Sequence, residues 1–235
     1  MRGILGLAVV LLTVGLVVSP VYGVRGELVA SGNPAPLKPG ENLLAAAVFN
    51  DSPGSSDLTL IIRLEADGQV LIDEGSPCKA IEPKQDIPSE DNPTGWTLPE
   101  FDDSSWQDAI YGVGYGDGDD NTVIGSKAAN TASIYTRAWF TIDDPSKISK
   151  LRLGADYDDA CVIWINGVEV ARTSNTDIPE KPHWNSWSDQ GSGHSHEASK
   201  TDPPTYEWVE IPVEVVAPVA PAGKLAAIWA ELKRF

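Results

Sequence analysis

Residues 158–170 run DDACVIWINGVEV and decide the fold. Two apolar stretches flank the dipeptide Asn166-Gly167, which is typical of a two-residue hairpin, because a type I′ turn needs positive φ at both positions. In the first stretch both alternating faces are apolar, with Ile163 on one face and Trp164 on the other. We therefore predict a central strand, or a strand whose second face is covered by another element.

The same alternation predicts an all-β fold along most of the chain. Gly 21 and Pro 18 among 235 residues supply frequent turns, which favour a sandwich or barrel over a helical bundle. Residues 75–94 show little periodicity and are interpreted as a linker. Strands are predicted at Asn42–Asn50, Leu58–Glu65, Gln69–Asp73, Tyr135–Ile142, Lys150–Ala155, Ala160–Asn166 and Val168–Thr173.

Residues 1–23 have the pattern of an export signal. Arg2 precedes an apolar run from Ile4 to Val18, and the small residues Val21 and Gly23 suit the cleavage site. The run is shorter than the about 20 residues that cross a bilayer of ~30 Å. We expect a protein secreted or displayed at the cell surface with no membrane span after cleavage. An uncleaved anchor is the alternative.

The net charge of the chain argues against one class of partner. The formal net charge of −17 argues against nucleic acid, since phosphate binding needs clustered Lys and Arg.

At the C-terminus, residues 217–223 form a Pro/Ala linker and residues 224–235 have the apolar spacing of a short amphipathic helix. That helix either docks on the sandwich or binds a partner.

Cys78 and Cys161 are the only cysteines. An oxidising compartment permits a disulfide between them. The alternative is a buried Cys161 in a strand and an unrelated Cys78 in a loop.

Four short sequence segments between Trp96 and Arg172 share an order and spacing with a known family. They are Phe101-Asp102-Asp103-Ser104-Ser105-Trp106, Gly114-Tyr115-Gly116, Tyr135-Thr136-Arg137-Ala138-Trp139-Phe140, and the run from Asp158 to Val170. Together they resemble the galactose-binding-like jelly-roll domains of bacterial extracellular proteins. That resemblance implies a jelly-roll β-sandwich that binds a ligand without catalysis.

One segment departs from the pattern of this family. Residues 37–45 and 55–58 resemble the closing segment of such domains but precede the body. We predict that Leu43–Phe49 pairs with strands of the Trp96–Val216 body, because an unpaired sandwich edge is unfavourable. Residues 24–74 then complete a sandwich whose body is residues 95–216. The alternative is the remnant of a preceding repeat.

Phe101 to Trp106 is expected to form a turn. Asp and Ser side chains bond nearby backbone N–H groups there, and Trp106 is buried.

Two acidic groups are candidate Ca²⁺ ligands, because Ca²⁺ prefers clustered carboxylate oxygens. One group is Asp117, Asp119 and Asp120, although the later Gly and Glu of an EF-hand are absent. The other group is Asp156, Asp158 and Asp159, of which the adjacent pair resembles the calcium-and-sugar site of flocculin-type lectins. The alternative roles are a solvated turn for the first group and, for Asp159, a bond to the backbone of the Asn166-Gly167 hairpin.

Residues 176–204 form a long polar loop, and loops of this length are usually functional or disordered. Trp184 and Trp187, with His183, are candidate sugar-stacking residues, since aromatic faces pack on the apolar side of a sugar ring. A partly packed loop is the alternative. His194 and His196 are weak candidates for a metal.

No nucleophile elbow, zinc-protease motif or phosphate-binding loop is present in the sequence. We therefore expect a binding module and not an enzyme, with a glycan or cell-surface component as its partner. A purely structural sandwich is the first alternative. A small hydrolase that uses the loop histidines is the second.

Overall fold

The structure is a computed structural model of the chain, and it describes residues 26–116, 118, 120–188 and 204–216. The described part is an all-β sandwich with three short 3₁₀ turns, as the sequence predicts. The predicted signal segment and C-terminal helix lie outside the described residues. No helix in the described part is long and apolar enough to cross a membrane.

The strands are β1 (Leu28–Ala30), β2 (Ala35–Leu37), β3 (Gly40–Phe49), β4 (Leu58–Ala66), β5 (Gln69–Ile72), β6 (Pro77–Ile81), β7 (Gln107–Ile110), β8 (Val113–Tyr115), β9 (Thr122–Val123), β10 (Ser133–Ile142), β11 (Leu151–Asp158), β12 (Ala160–Ile165), β13 (Val168–Thr173), β14 (Glu207–Ile211) and β15 (Val213–Val215).

The strands form two large, mainly antiparallel sheets. One has seven strands in the order β1-β13-β12-β3-β10-β6-β7, and the other has the order β14-β11-β4-β8-β9 with β5 also paired to β4. The parallel pair β2 and β15 forms a small third sheet. Apolar side chains from both large sheets, such as Leu44, Ile62, Leu153 and Ile163, form one continuous core between them. Burial of this shared face stabilises the sandwich.

The predicted pairing of Leu43–Phe49 with later strands is confirmed. Strand β3 lies between β10 and β12, so that Phe49 pairs with Ser133 on one side and with Ala160 on the other. In the second sheet, β4 pairs with β11 over the whole length of β11. The early segment therefore supplies an interior strand to each large sheet.

A second apolar cluster covers the outer face of the seven-stranded sheet. Trp164 of β12 is only 4% exposed, and Tyr135 of β10 lies in the same cluster. Trp96 stacks on Tyr135 with ring centroids 4.3 Å apart, and Trp106 lies against Trp96. Trp96 and Trp106 both come from the connection between β6 and β7, which confirms that another element covers the second face of the Trp164 strand.

Residues 75–94 are not simply a linker, because β6 lies within them. Strand β6 pairs with β10 on one side and β7 on the other, and its residues Cys78 and Ala80 face the main core. Pro77 is tolerated because it is the first residue of the strand. The single Lys79 and the leading proline hide the alternation in so short a strand.

Arg137 of β10 binds the connection between β6 and β7 to the seven-stranded sheet. Its side chain is 1% exposed, and its Nε donates to Asp103 Oδ2 at 2.7 Å. The guanidinium also donates to the carbonyl oxygens of Trp96, Leu98 and Phe101. Because every donor group finds an acceptor, the buried cation is compensated and residues 96–103 are held against β10.

The turn from Phe101 to Trp106 forms as predicted. Ser104 N donates to Asp102 Oδ1 at 3.0 Å, and Trp106 is buried. The hairpin prediction is also confirmed, since Asn166 has φ of 48° and Gly167 φ of 84°. Both residues therefore occupy the left-handed region that a type I′ turn requires.

The two cysteines are free and buried. Cys78 lies in β6 and not in a loop, and Cys161 lies in β12. Strands β3 and β10 lie between them, so the strand spacing of about 4.8 Å places them roughly 14 Å apart. That separation exceeds the about 7 Å that a disulfide can bridge. Burial raises the pKa of each thiol to about 12.

Candidate functional site

The first part of the long polar loop is ordered against the end of the sandwich. Asp177 N donates to Ser188 O at 2.6 Å, and Ser188 N donates to Asn50 O at 2.8 Å. These bonds close residues 177–188 into a loop attached just after β3. Residues 189–203, which include His194 and His196, lie outside the described residues.

Within this loop, residues 183–186 form a tight turn. Ser186 N donates to His183 O at 3.0 Å, and His183 N donates to Ser186 Oγ at 3.0 Å. Serine favours such turns because its hydroxyl can satisfy a nearby backbone N–H. At the tip, Trp184 O accepts a 2.7 Å hydrogen bond from Ser133 Oγ at the start of β10. The turn is therefore anchored to the sheet through the backbone of Trp184.

Asp86 joins this turn to the connection between β6 and β7. Its Oδ2 lies 2.8 Å from His183 Nδ1, and its Oδ1 accepts from Trp184 N at 2.9 Å. The Asp86 side chain is 10% exposed and that of His183 is 44% exposed. Because a carboxylate only accepts hydrogen bonds, His183 Nδ1 carries the proton in this contact. Asp86 is thus used in holding the turn, while His183 remains accessible.

A cavity of about 700 Å³ lies between the two segments. Trp184, which is partly exposed, lies among polar side chains there, and the described residues of the lining include no Lys or Arg. An aromatic face with a few polar groups is the usual composition of a small-molecule site. The lining residues are Gln85, Asp86, Pro88, Ser89, Glu90, His183, Trp184 and Asn185.

Trp184 and Trp187 are both predicted from the sequence to stack on a sugar, but the structure places them differently. Trp184 and His183 line the cavity, whereas Trp187 is partly exposed but is not part of the lining. Sequence reasoning missed Asp86 and Glu90, because they lie in the stretch interpreted as a linker. The one sequence feature that could have indicated them as site residues is a run of polar residues interrupted by Pro88. An ordinary loop shows the same feature.

Asp158 and Asp159 are buried but do not line this cavity. Asp159 Oδ2 accepts from Asp51 N at 2.7 Å, so it bonds the turn after β3 and not the Asn166-Gly167 hairpin. Burial raises the pKa of Asp159 above its usual range, and the negative charges of Asp51 and Asp57 raise it further. The Asp-Asp pair and the cavity loop therefore flank the same turn, which begins at Asn50.

The two predicted groups of calcium ligands approach each other around Thr59. Its Oγ1 donates to Asp120 Oδ1 at 3.2 Å, and Thr59 pairs with Asp158 across the β4–β11 ladder. Asp156 is fully buried two residues earlier on the same face of β11. Among the described residues no group of three or more His, Cys, Asp or Glu is arranged to hold a metal ion. Asp117 and Asp119 lie outside the described residues, so calcium binding stays a prediction.

Comparisons with protein-family models, curated proteins and solved structures find no match to this chain.

Proposed function

We propose that the protein is an exported, non-catalytic carbohydrate-binding module whose site is the cavity lined by Trp184. The observation that carries the proposal is the fixed position of this residue. Its backbone N–H is bonded to Asp86 and its carbonyl to Ser133, and the residue lines the cavity. A backbone held in this way needs little ordering when a ligand binds, and preorganisation of this kind increases affinity.

The polar lining supports the same proposal. Gln85 and Asn185 carry both donors and acceptors, and Ser89 carries a hydroxyl, so the site can satisfy sugar hydroxyl groups in either direction. Sugar recognition commonly combines such groups with one aromatic face. The resemblance to galactose-binding-like domains agrees with this function.

A hydrolase is the second candidate, because His183 is bonded to Asp86 and Ser89 lines the same cavity. A serine nucleophile must lie within hydrogen-bond reach of its base. In the described part of the chain no hydrogen bond joins Ser89 to His183. The geometry therefore supports binding better than catalysis.

A glycan array probed with the mature protein, followed by calorimetric titration of the hits, tests the proposal. Trp184→Ala is expected to weaken binding by about tenfold or more, since truncation of an aromatic anchor in a binding site typically costs about 2 kcal/mol or more. Trp187→Ala is the matched control and should bind as the wild type does. Absence of any glycan ligand, or equal loss in the two variants, would reject this site and favour a purely structural sandwich.

A further inference from the structure

The charged side chains of the Trp184 cavity all have one sign. Among the described residues that line it, Asp86 and Glu90 are the only ones of the types Asp, Glu, Lys and Arg. The nearby Lys84 forms an ion pair with Glu82, outside the lining. The net charge of −17 adds a field of the same sign over the whole chain. Anionic ligands are therefore repelled from this cavity and cationic ligands are attracted to it.

The two carboxylates differ in what they already bind. Each oxygen of Asp86 already accepts one hydrogen bond from the turn at His183 and Trp184. Glu90 is exposed, and in the described part of the chain no hydrogen bond or ion pair involves its carboxylate. Its backbone is fixed by the short turn from Ser89 to Asn92, where Asn92 N donates to Ser89 O at 3.0 Å. Glu90 is thus the exposed carboxylate of the cavity, and it has more acceptor sites available to a ligand than Asp86 has.

We infer that the cavity selects a basic sugar, one that carries a free ammonium group, over neutral and acidic sugars. This inference rests on the proposed carbohydrate function and names the class of ligand for the same site. The ring of Trp184 would stack on the sugar, and the Glu90 carboxylate would accept a charge-assisted hydrogen bond from the ammonium. An ammonium close to the indole face gains a further cation–π attraction.

The experiment compares three oligosaccharides of equal length by calorimetric titration at mildly acidic pH and low salt. The probes are a β-1,4-linked oligomer of N-acetylglucosamine, its fully deacetylated counterpart and an oligomer of a uronic acid. We expect the deacetylated oligomer to bind about tenfold more tightly than the acetylated one, because hydrogen bonds to charged groups are stronger than neutral ones. The uronic acid oligomer should bind more weakly than both. Added salt should reduce the advantage of the deacetylated oligomer.

Two variants separate a local effect from the general charge of the chain. Glu90→Gln should bring the deacetylated oligomer close to the affinity of the acetylated one and leave the acetylated one unchanged. Glu100→Gln removes the same charge from an exposed residue outside the cavity and should retain the preference. Equal binding of the acetylated and deacetylated oligomers to the wild type would overturn the inference while leaving the proposed function intact. An equal effect of the two variants would also overturn it. Failure of all three oligomers to bind would overturn the inference, whereas the proposed function is rejected only if the glycan array also finds no ligand.

Discussion

His183 Nδ1 lies 2.8 Å from Asp86 Oδ2, although the two residues are 97 positions apart in the chain. Each residue belongs to a different wall of the cavity, and Asp86 also accepts from the backbone of Trp184. The shape of the site therefore depends on one carboxylate that joins its two walls.

Asp86→Ala is expected to weaken both glycan binding and the fold. The turn at residues 183–186 loses two hydrogen bonds to a charged acceptor, each of which contributes about 1.5–3 kcal/mol at most. Asp86→Asn should lose less affinity, since its amide oxygen still accepts from Trp184 N. Calorimetric titration and urea unfolding of both variants provide the measurements. Wild-type affinity in Asp86→Ala would show that the cavity walls do not need this contact.

Trp164→Ala should behave in the opposite way to Trp184→Ala. Trp164 is buried in the cluster on the outer face of the seven-stranded sheet, and loss of such a side chain costs about 3–5 kcal/mol of unfolding free energy. Trp184 is partly exposed, so its replacement should cost about 1 kcal/mol or less. Urea denaturation of both variants makes the comparison. If the two variants lose the same stability, Trp184 is a core residue and the sugar site is misplaced.

Asp103→Ala should destabilise the protein by about 3–5 kcal/mol, because it leaves the buried guanidinium of Arg137 without its anion. Asp108→Ala is the matched control. Asp108 forms an ion pair with Lys79, but its side chain is 92% exposed, and such pairs contribute little. Thermal and urea midpoints should fall in the first variant and stay close to the wild type in the second. A small effect of Asp103→Ala would mean that the three carbonyl acceptors are sufficient for Arg137.

Asp159 should make the protein less stable as the pH rises. Its pKa is raised in the folded state, chiefly by burial, so the folded state binds its proton more tightly than the unfolded state does. The stability that this group contributes is present below its ordinary pKa of about 4 and is lost as pH rises through the raised value. Asp159→Asn keeps an acceptor for Asp51 N but cannot ionise. Its stability relative to wild type should therefore increase with pH in the presence of a chelator. Parallel pH profiles of the two proteins would contradict this cause.

We propose that any bound metal is Ca²⁺, held around Thr59 by Asp120 and Asp158 together with further ligands. A ligand that binds only the native state raises the unfolding midpoint by mass action. The midpoint in millimolar Ca²⁺ should then exceed the midpoint with chelator, and Asp120→Asn should reduce the difference. Asp143→Asn changes the same charge on an exposed residue and should retain it. Identical midpoints for the wild type with Ca²⁺ and with chelator would reject a stabilising ion.

The fold was predictable where apolar alternation is long. Strands β3, β10 and β12 each bury nearly every residue, so their pattern is visible without knowledge of their partners. The position of β3 also follows, since an unpaired sandwich edge is unfavourable. Strand β6 was missed because its five residues begin with Pro77 and include Lys79.

The site was predictable only in part. Trp184 and Trp187 lie three residues apart in the same polar loop, and no local pattern shows which of them faces a cavity. Which tryptophan lines the cavity depends on Asp86, because Asp86 accepts from the backbone of Trp184. The partners of Asp86 are far from it in the chain, so no periodic sequence pattern indicates the contact. Glu90 was hidden for the same reason, because the pairing of two loops is decided by tertiary packing alone.

The position of β3 also has a consequence for the order of events during synthesis. Its two neighbours, β10 and β12, end at Ile142 and Ile165. The seven-stranded sheet cannot form around β3 before those residues have left the ribosome, and contacts this distant in the chain form slowly. Until then, the apolar run of β3 is an unpaired strand, which is prone to associate with other chains. The apolar strand β3 is therefore without its sheet partners until β12 has been synthesised.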